Sequence, residues 1–135
     1  MKVLQFAFSS NMSVSAYIPH NYTSNCVVYT GTHDNNTTKG WFRKDALKIE
    51  QKNLEWYIGT IPKEENITEL LARMAYASVA KIVILPIQDI LGLDESARMN
   101  TPATIKRNWL WRMTPEQLTK SHEELLRDWV KLFNR

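Results

Sequence analysis

Only one cysteine, Cys26, occurs among the 135 residues, so the chain can form no internal disulfide and has no cysteine pair at a metal-ligand spacing. We therefore expect no metal and a reducing, cytoplasmic location. No apolar run approaches the roughly 18 residues of a membrane span, so no membrane partner is expected. Neither an internal repeat nor a low-complexity segment is present.

Charge of either sign is also modest. The formal net charge is +3, and basic residues alternate with acidic ones along the chain, as in Lys63-Glu64-Glu65. Because no face is obviously basic, a nucleic-acid partner is not expected despite the pI of about 9.0. The 44% hydrophobic and 23% charged fractions are typical of a globular protein. A chain of this length predicts one domain, residues 1–135.

Three apolar runs predict the strands of a sheet. They cover residues 3–8, 26–30 and 82–87, and each is nearly continuous instead of alternating with polar residues. That pattern is typical of parallel strands buried on both faces. The connection between the first two runs contains Pro19 and several Ser and Asn residues, so it is expected to be mostly irregular.

Helices are predicted between the second and third runs and at the end of the chain. A helix over residues 45–58 would stop at Gly59. A second helix, over residues 66–80, would start with an Asn66 cap. A final helix is predicted to begin at Thr114-Pro115.

This β-α-β-α order predicts an α/β fold with a parallel sheet. Three strands are few for such a sheet, and a closed (β/α) barrel needs eight strands and about 250 residues. We therefore expect the chain to resemble part of a larger structure.

The segment after the second predicted strand has the composition of a polar site. His33, Asp34 and Asn35 follow that strand directly, and the carboxyl ends of parallel strands are where α/β proteins place their chemistry. Asp34 could act beside a developing positive charge or accept hydrogen bonds from sugar hydroxyls. Alternatively, Asp34 could cap the following helix in an Asx-turn.

Segment 27–41, which contains Gly31-Thr-His-Asp-Asn35, closely resembles the family of 4-α-glucanotransferases, also called amylomaltases or disproportionating enzymes, of glycoside hydrolase family 77. Further similar blocks cover residues 1–8, 17–22, 86–93, 97–100 and 108–112, in the family's order. Together the blocks span nearly the whole chain.

The resemblance implies a fold and an activity. The expected fold is the last third, strands six to eight, of a (β/α)8 TIM barrel. The expected activity is the transfer of α-1,4-glucan segments to the 4-hydroxyl of an acceptor sugar, with retention of configuration. The expected partner is a maltooligosaccharide or α-glucan, and no cofactor is implied.

The resemblance also implies site residues. Asp34 corresponds to the family's transition-state-stabilising carboxylate, and His33 to its substrate-binding histidine. Further expected substrate contacts are Asn35, Gln88, Asp89, Arg98 and Asn100. The family's nucleophile and acid/base have no counterpart here, so the isolated chain is predicted to be inactive. The alternative is a barrel fragment that binds glucan without chemistry, or that self-associates through open sheet edges.

Two positions depart from the family pattern, and the roles of three tryptophans stay open. Asn36 stands where the family usually has Asp, and Ala103 where it usually has Gly, which puts the hydrogen bonding of the first and the loop conformation at the second in doubt. The indoles could stack on sugar rings or pack in a core: Trp41, Trp109 and Trp111.

Overall fold

The computed structural model describes residues 1–135, and its centre is a three-stranded parallel sheet. The strands are β1 (Lys2–Val3), β2 (Val27–Tyr29) and β3 (Ile82–Ile84), with β2 in the middle. Both pairings are parallel, with Val3 opposite Tyr29 and Tyr29 opposite Ile84, so all three strands run in the same direction. The prediction of an α/β fold with a parallel sheet is confirmed.

The strands are shorter than their apolar runs. After β1 the chain turns into a 3-10 helix, Leu4–Phe6, so most of the predicted 3–8 strand is not extended. The third strand was predicted to extend to residue 87, but β3 ends at Ile84. Pro86 then precedes a short helix, α4 (Ile87–Ile90). Apolar side chains therefore continue past the sheet because they still face the core, not because the backbone stays extended.

Burial on both faces of the sheet was also expected, and it is found on one face only. Val28 is fully buried, whereas Ile82 and Ile84 on the edge strand β3 are 49% and 42% exposed. Strand β3 pairs with β2 alone, and no helix of this chain covers its second face. The edges of β1 and β3 are both open.

The connection from β2 to β3 contains the helices that cover the buried face. A short α1 (Thr38–Gly40) runs into a π-helical turn (Trp41–Asp45), followed by α2 (Lys48–Ile58) and α3 (Ile67–Ala77). Both predicted helices are confirmed, each about three residues shorter at one end. Helix α2 stops at a left-handed glycine, as predicted.

The last helix begins later than predicted. Thr114 is an N-cap residue, as predicted, and its N–H donates to the Gln117 side chain at 2.9 Å. Only a single 3-10 turn follows it, however. Leu118 is extended, and α5 (Lys120–Leu132) starts behind a second cap at Thr119. The capping signal was therefore genuine, but it belongs to a single turn.

The connection between the first two strands is mostly irregular, as predicted. The connection from β1 to β2 holds only 3-10 turns, such as Met12–Val14 and Pro19–Asn21. No helix combines the length and apolar character needed to cross a bilayer, the longest having 13 residues.

The hydrophobic core lies between the sheet and helices α2 and α3. Phe8 is fully buried in it, with its ring 6.3 Å from those of both Trp41 and Tyr57, measured between centroids. Leu54 from α2 and Leu71 from α3 complete the contact. Trp41 is therefore a core residue, which decides between its two expected roles.

Ala103 adopts a left-handed backbone, with φ at +61°, where an L side chain is strained and glycine is not. We expect Ala103→Gly to raise the free energy of unfolding by about 1 kcal/mol, as measured by urea denaturation. Gly59→Ala is the matched control, because Gly59 also has positive φ and a Cβ there meets no atom within 4 Å. It should lower stability by a similar amount. Destabilisation by Ala103→Gly would contradict the assignment of strain.

Candidate active site

A cavity of about 460 Å³ opens where strands β2 and β3 end. Tyr29 and Ile84 line it from the strands. The loop that follows β2, residues 31–37, forms most of its polar wall and is called the His-Asp loop below. Gln88, Arg98 and Met99 close the opposite side. The predicted position of the site, at the carboxyl edge of the sheet, matches this cavity.

Asp34 presents its carboxylate to solvent at this cavity. Its side chain is 53% exposed, and Oδ1 accepts a hydrogen bond of 2.6 Å from Asn100 Nδ2. Helix α1 is capped by the Thr37 hydroxyl, which accepts from the Gly40 N–H at 3.1 Å. The alternative in which Asp34 caps that helix is therefore wrong, and its Oδ2 has no protein hydrogen bond.

His33 lies against both the carboxylate and an indole ring. Its Nε2 is 3.4 Å from Asp34 Oδ1, and its ring centroid is 5.2 Å from that of Trp109. The Trp109 side chain stays half exposed, so it is not a core residue. His33, Asp34 and Trp109 thus form one surface with charged, polar and aromatic groups side by side.

Arg98 and Asn100 hold the His-Asp loop from a second segment of chain. Arg98 donates through Nη2 to the Asp34 carbonyl at 2.7 Å and through Nε to the Asn100 carbonyl at 2.8 Å. These residues are 64 and 66 positions from Asp34 in sequence. The structure therefore brings together four of the predicted site residues: His33, Asp34, Arg98 and Asn100.

Asn35 and Gln88 line the cavity, and each uses only one of its two side-chain amide groups in hydrogen bonds within the protein. Asn35 Oδ1 accepts from both the N–H and the hydroxyl of Thr32, at 3.0 and 2.8 Å, and so shapes the turn. Gln88 donates from Nε2 to the Ala97 carbonyl at 3.2 Å. Each amide keeps one group without a protein partner.

Asp89 was expected to face the cavity beside Gln88, and the structure corrects that placement. The residue is 4% exposed and does not line the cavity. Its carboxylate accepts hydrogen bonds from the side chain of Thr30 and from both the side chain and backbone N–H of Thr38. Burial raises the pKa of Asp89, and those hydrogen bonds oppose the rise. It is withdrawn from the set of expected substrate contacts.

An ion-pair cluster near the site escaped the sequence-based prediction. Glu95 accepts two hydrogen bonds from Arg43 Nη2, at 2.5 and 2.6 Å, and also pairs with Lys44. The Lys44 contact, with help from Arg43, lowers the pKa of Glu95 to about 2. Glu95 begins the turn that ends at Ala97, directly before Arg98, so the cluster anchors the segment that contacts Asp34. Charges so far apart in sequence carried no local signal.

The structure shows what Asn36 and Ala103, the two residues that depart from the family pattern, do in this chain. Asn36 is buried, and its Nδ2 donates to Asp45 Oδ2 at 3.0 Å, which an Asp at position 36 could not do. Ala103 takes the backbone conformation that glycine would take, at the cost described above. The Asn36 amide therefore has a defined role as a donor.

Comparison with known proteins shows the family of this chain. The family model for 4-alpha-glucanotransferase, of glycoside hydrolase family 77, matches residues 1–119. A 4-alpha-glucanotransferase of Streptococcus pneumoniae is 43% identical over all of this chain and 26% of its own length. One from Thermus thermophilus is 42% identical over 94% of this chain and 26% of the relative.

A solved structure shares the fold of this chain. The amylomaltase of Streptococcus agalactiae, in complex with acarbose, superposes with a TM-score of 0.91 and 38% identity. The superposition covers all of this chain and 27% of the amylomaltase. The chain thus spans about a quarter of the length of the relatives it matches. On the family match and these identities, the chain belongs to the 4-alpha-glucanotransferase family, glycoside hydrolase family 77.

Proposed function

We propose that this chain forms the donor-sugar side of a 4-α-glucanotransferase site, which transfers α-1,4-glucan segments to an acceptor sugar 4-hydroxyl with retention of configuration. One observation carries the proposal: the half-exposed Asp34 carboxylate, held by Asn100 and flanked by His33, at a cavity beyond the strand ends. The amylomaltase on which this chain superposes is in complex with acarbose, which supports a sugar-binding role for the cavity.

The proposed architecture is strands six to eight of a (β/α)8 barrel. The parallel order with β2 central, the open edges of β1 and β3, and the exposed isoleucines of β3 support it. In a closed barrel the edges would pair and those isoleucines would face other interior side chains. The quarter-length match to the relatives is consistent with such a part.

Asp34 would act by charge and hydrogen bonding, not by covalent chemistry. In a retaining mechanism one carboxyl group attacks the anomeric carbon and another protonates the leaving oxygen, about 5–5.5 Å apart. Asp34 is the one acidic residue that lines the cavity, so this chain cannot supply that pair. With Asn100 on Oδ1, its free Oδ2 can accept from sugar hydroxyls and favour positive charge on the ring.

The neighbouring groups would orient the sugar. His33 can donate to a hydroxyl from its ring, and the exposed face of Trp109 can cover the apolar side of a glucose ring. Arg98 is committed to backbone carbonyls and would act chiefly by holding the loop. Asn35 and Gln88 would each offer the sugar the side-chain amide group that has no hydrogen-bond partner within the protein.

The isolated chain should therefore show no glucanotransferase turnover. We expect no glucose release from maltotriose with the purified 135-residue chain, because no nucleophile is present to form a glycosyl intermediate. A chimera in which this chain replaces the matching segment of the Streptococcus agalactiae amylomaltase should release glucose. Turnover by the isolated chain would refute its inactivity, and a folded but inactive chimera would refute the proposed function.

Self-association is the alternative that the exposed surface favours. The open strand edges and the exposed Ile82 and Ile84 could pair with a second copy, giving a protein that binds glucan or itself without chemistry. Sedimentation at several concentrations tests this, since an open edge predicts concentration-dependent mass. A concentration-independent monomer would count against it.

A further inference from the structure

We propose that Asp89 is a positioning residue that clamps both ends of the His-Asp loop from beneath. Asp89 does not line the cavity beside this loop, yet it binds the two residues that bracket residues 31–37. The clamp stands on geometry within this chain; only its consequence for glucan binding rests on the proposed function.

The clamp consists of three hydrogen bonds to one buried carboxylate. Oδ2 accepts from the hydroxyls of Thr30 and Thr38, at 2.5 and 2.7 Å, and Oδ1 accepts from the Thr38 N–H at 2.8 Å. Thr30 is the residue directly after β2, and Thr38 is the first residue of α1. Both threonines are fully buried. One side chain from α4 thus joins the start of the loop to its end.

A second buried side chain, Gln5, supports the loop just inside its two ends. Gln5 Nε2 donates to the Asn36 carbonyl at 2.9 Å, and a Cβ added at Gly31 would lie 2.6 Å from the same nitrogen. The loop therefore rests on Gln5 and is tied at both ends by Asp89. His33 and Asp34, at its exposed tip, take their position from these buried contacts.

A carboxylate suits this place because all three neighbouring groups are donors. An ionised carboxylate is a pure acceptor with room for several hydrogen bonds, whereas an apolar side chain would leave the donors buried without partners. A buried charge is unfavourable unless it is hydrogen-bonded in this way. The loop's hydrogen-bond donors, and not contact with solvent, therefore explain why residue 89 is an aspartate.

Amide hydrogen exchange on the 135-residue chain tests the clamp directly. In Asp89→Ala we expect the amides of residues 31–38 to exchange at least tenfold faster, while those of α3 keep their relative protection. Asn53→Ala is the matched control: Asn53 is also a buried polar residue, and its Nδ2 donates to the Phe8 and Ser9 carbonyls, away from the loop. The control should leave the loop's exchange unchanged relative to α3.

Two milder variants keep the test decisive if Asp89→Ala does not fold. Asp89→Asn should restore most of the protection, since its oxygen can accept from the Thr38 N–H and its amide can donate to the threonine hydroxyl oxygens. Thr30→Val removes one of the three bonds and should accelerate the loop's exchange by a smaller factor. Equal loop protection in wild type and Thr30→Val, or a loss spread evenly over α3 and the loop, would overturn the clamp.

Acarbose titration then connects the clamp to binding. If the proposed function holds, the wild-type chimera should bind acarbose, Asp89→Ala or Thr30→Val should weaken that binding at least severalfold, and Asn53→Ala should not. Absence of binding by the wild-type chimera would refute the proposed function, while the exchange data would still decide the clamp. Undiminished affinity in a variant whose loop has loosened would overturn the positioning role.

Discussion

Asp34→Asn in the chimeric glucanotransferase should lower kcat for glucose release from maltotriose by about a hundredfold or more. The amide is isosteric with the carboxylate and can still accept one hydrogen bond, but it loses the negative charge that would stabilise an oxocarbenium-like transition state. Because that charge matters most when positive charge develops on the ring, kcat should fall more than KM rises.

The control for charge is Asp128→Asn. Asp128 is exposed on α5 and does not line the cavity, so its substitution should leave kcat within a factor of two of the wild type. An Asp34→Asn chimera as fast as the wild type would show that this carboxylate has no part in the chemistry. Equal losses in both variants would point to an effect of net charge.

Phe8→Ala should lower the free energy of unfolding by about 3–5 kcal/mol. The ring is fully buried between Trp41 and Tyr57, so its removal leaves a cavity that rigid neighbours cannot fill. A domain of this size has a total stability of about 5–15 kcal/mol, so the variant would be near its folding limit. Urea denaturation followed by tryptophan fluorescence measures the change.

Phe6→Ala provides the matched comparison, with the same substitution two residues away. Phe6 is 49% exposed and makes an edge contact with Tyr17 at 5.5 Å, so about 1 kcal/mol is expected. A loss of similar size in the two variants would contradict the placement of Phe8 in the core. This pair also checks the structure's account of a segment that its apolar pattern alone assigned to a strand.

Several features follow from local sequence. Near-continuous apolar runs predicted three parallel strands, and Gly59 and Asn66 predicted helix boundaries close to those found. The Asn66 side chain accepts from the Lys63 N–H, however, and makes no capping hydrogen bond to α3. His33 and Asp34 directly after a strand predicted a polar site at the sheet's carboxyl edge, where the cavity lies. These predictions hold because strand formation, helix ends and the type of residue that follows a strand depend on neighbouring residues.

Other features depend on residues that are distant in the chain. Asp89 and Gln88 are adjacent in sequence, yet Asp89 lies buried beneath the His-Asp loop and Gln88 lines the cavity, and their order in the sequence does not indicate which would be buried. Likewise, nothing local indicated that Glu95 would meet Arg43 and Lys44. Pairings of this kind are set by how the elements pack.

The amino-acid sequence by itself determined the parallel α/β order and the residue types gathered behind β2, since both rest on periodicity and on spacing along the chain. Tertiary structure alone decided that Asp34 is open to the cavity, that Asp89 is buried beneath the loop and that Trp109 lies beside His33. The reason is physical: exposure and hydrogen-bond partners arise where segments some sixty residues apart come into contact.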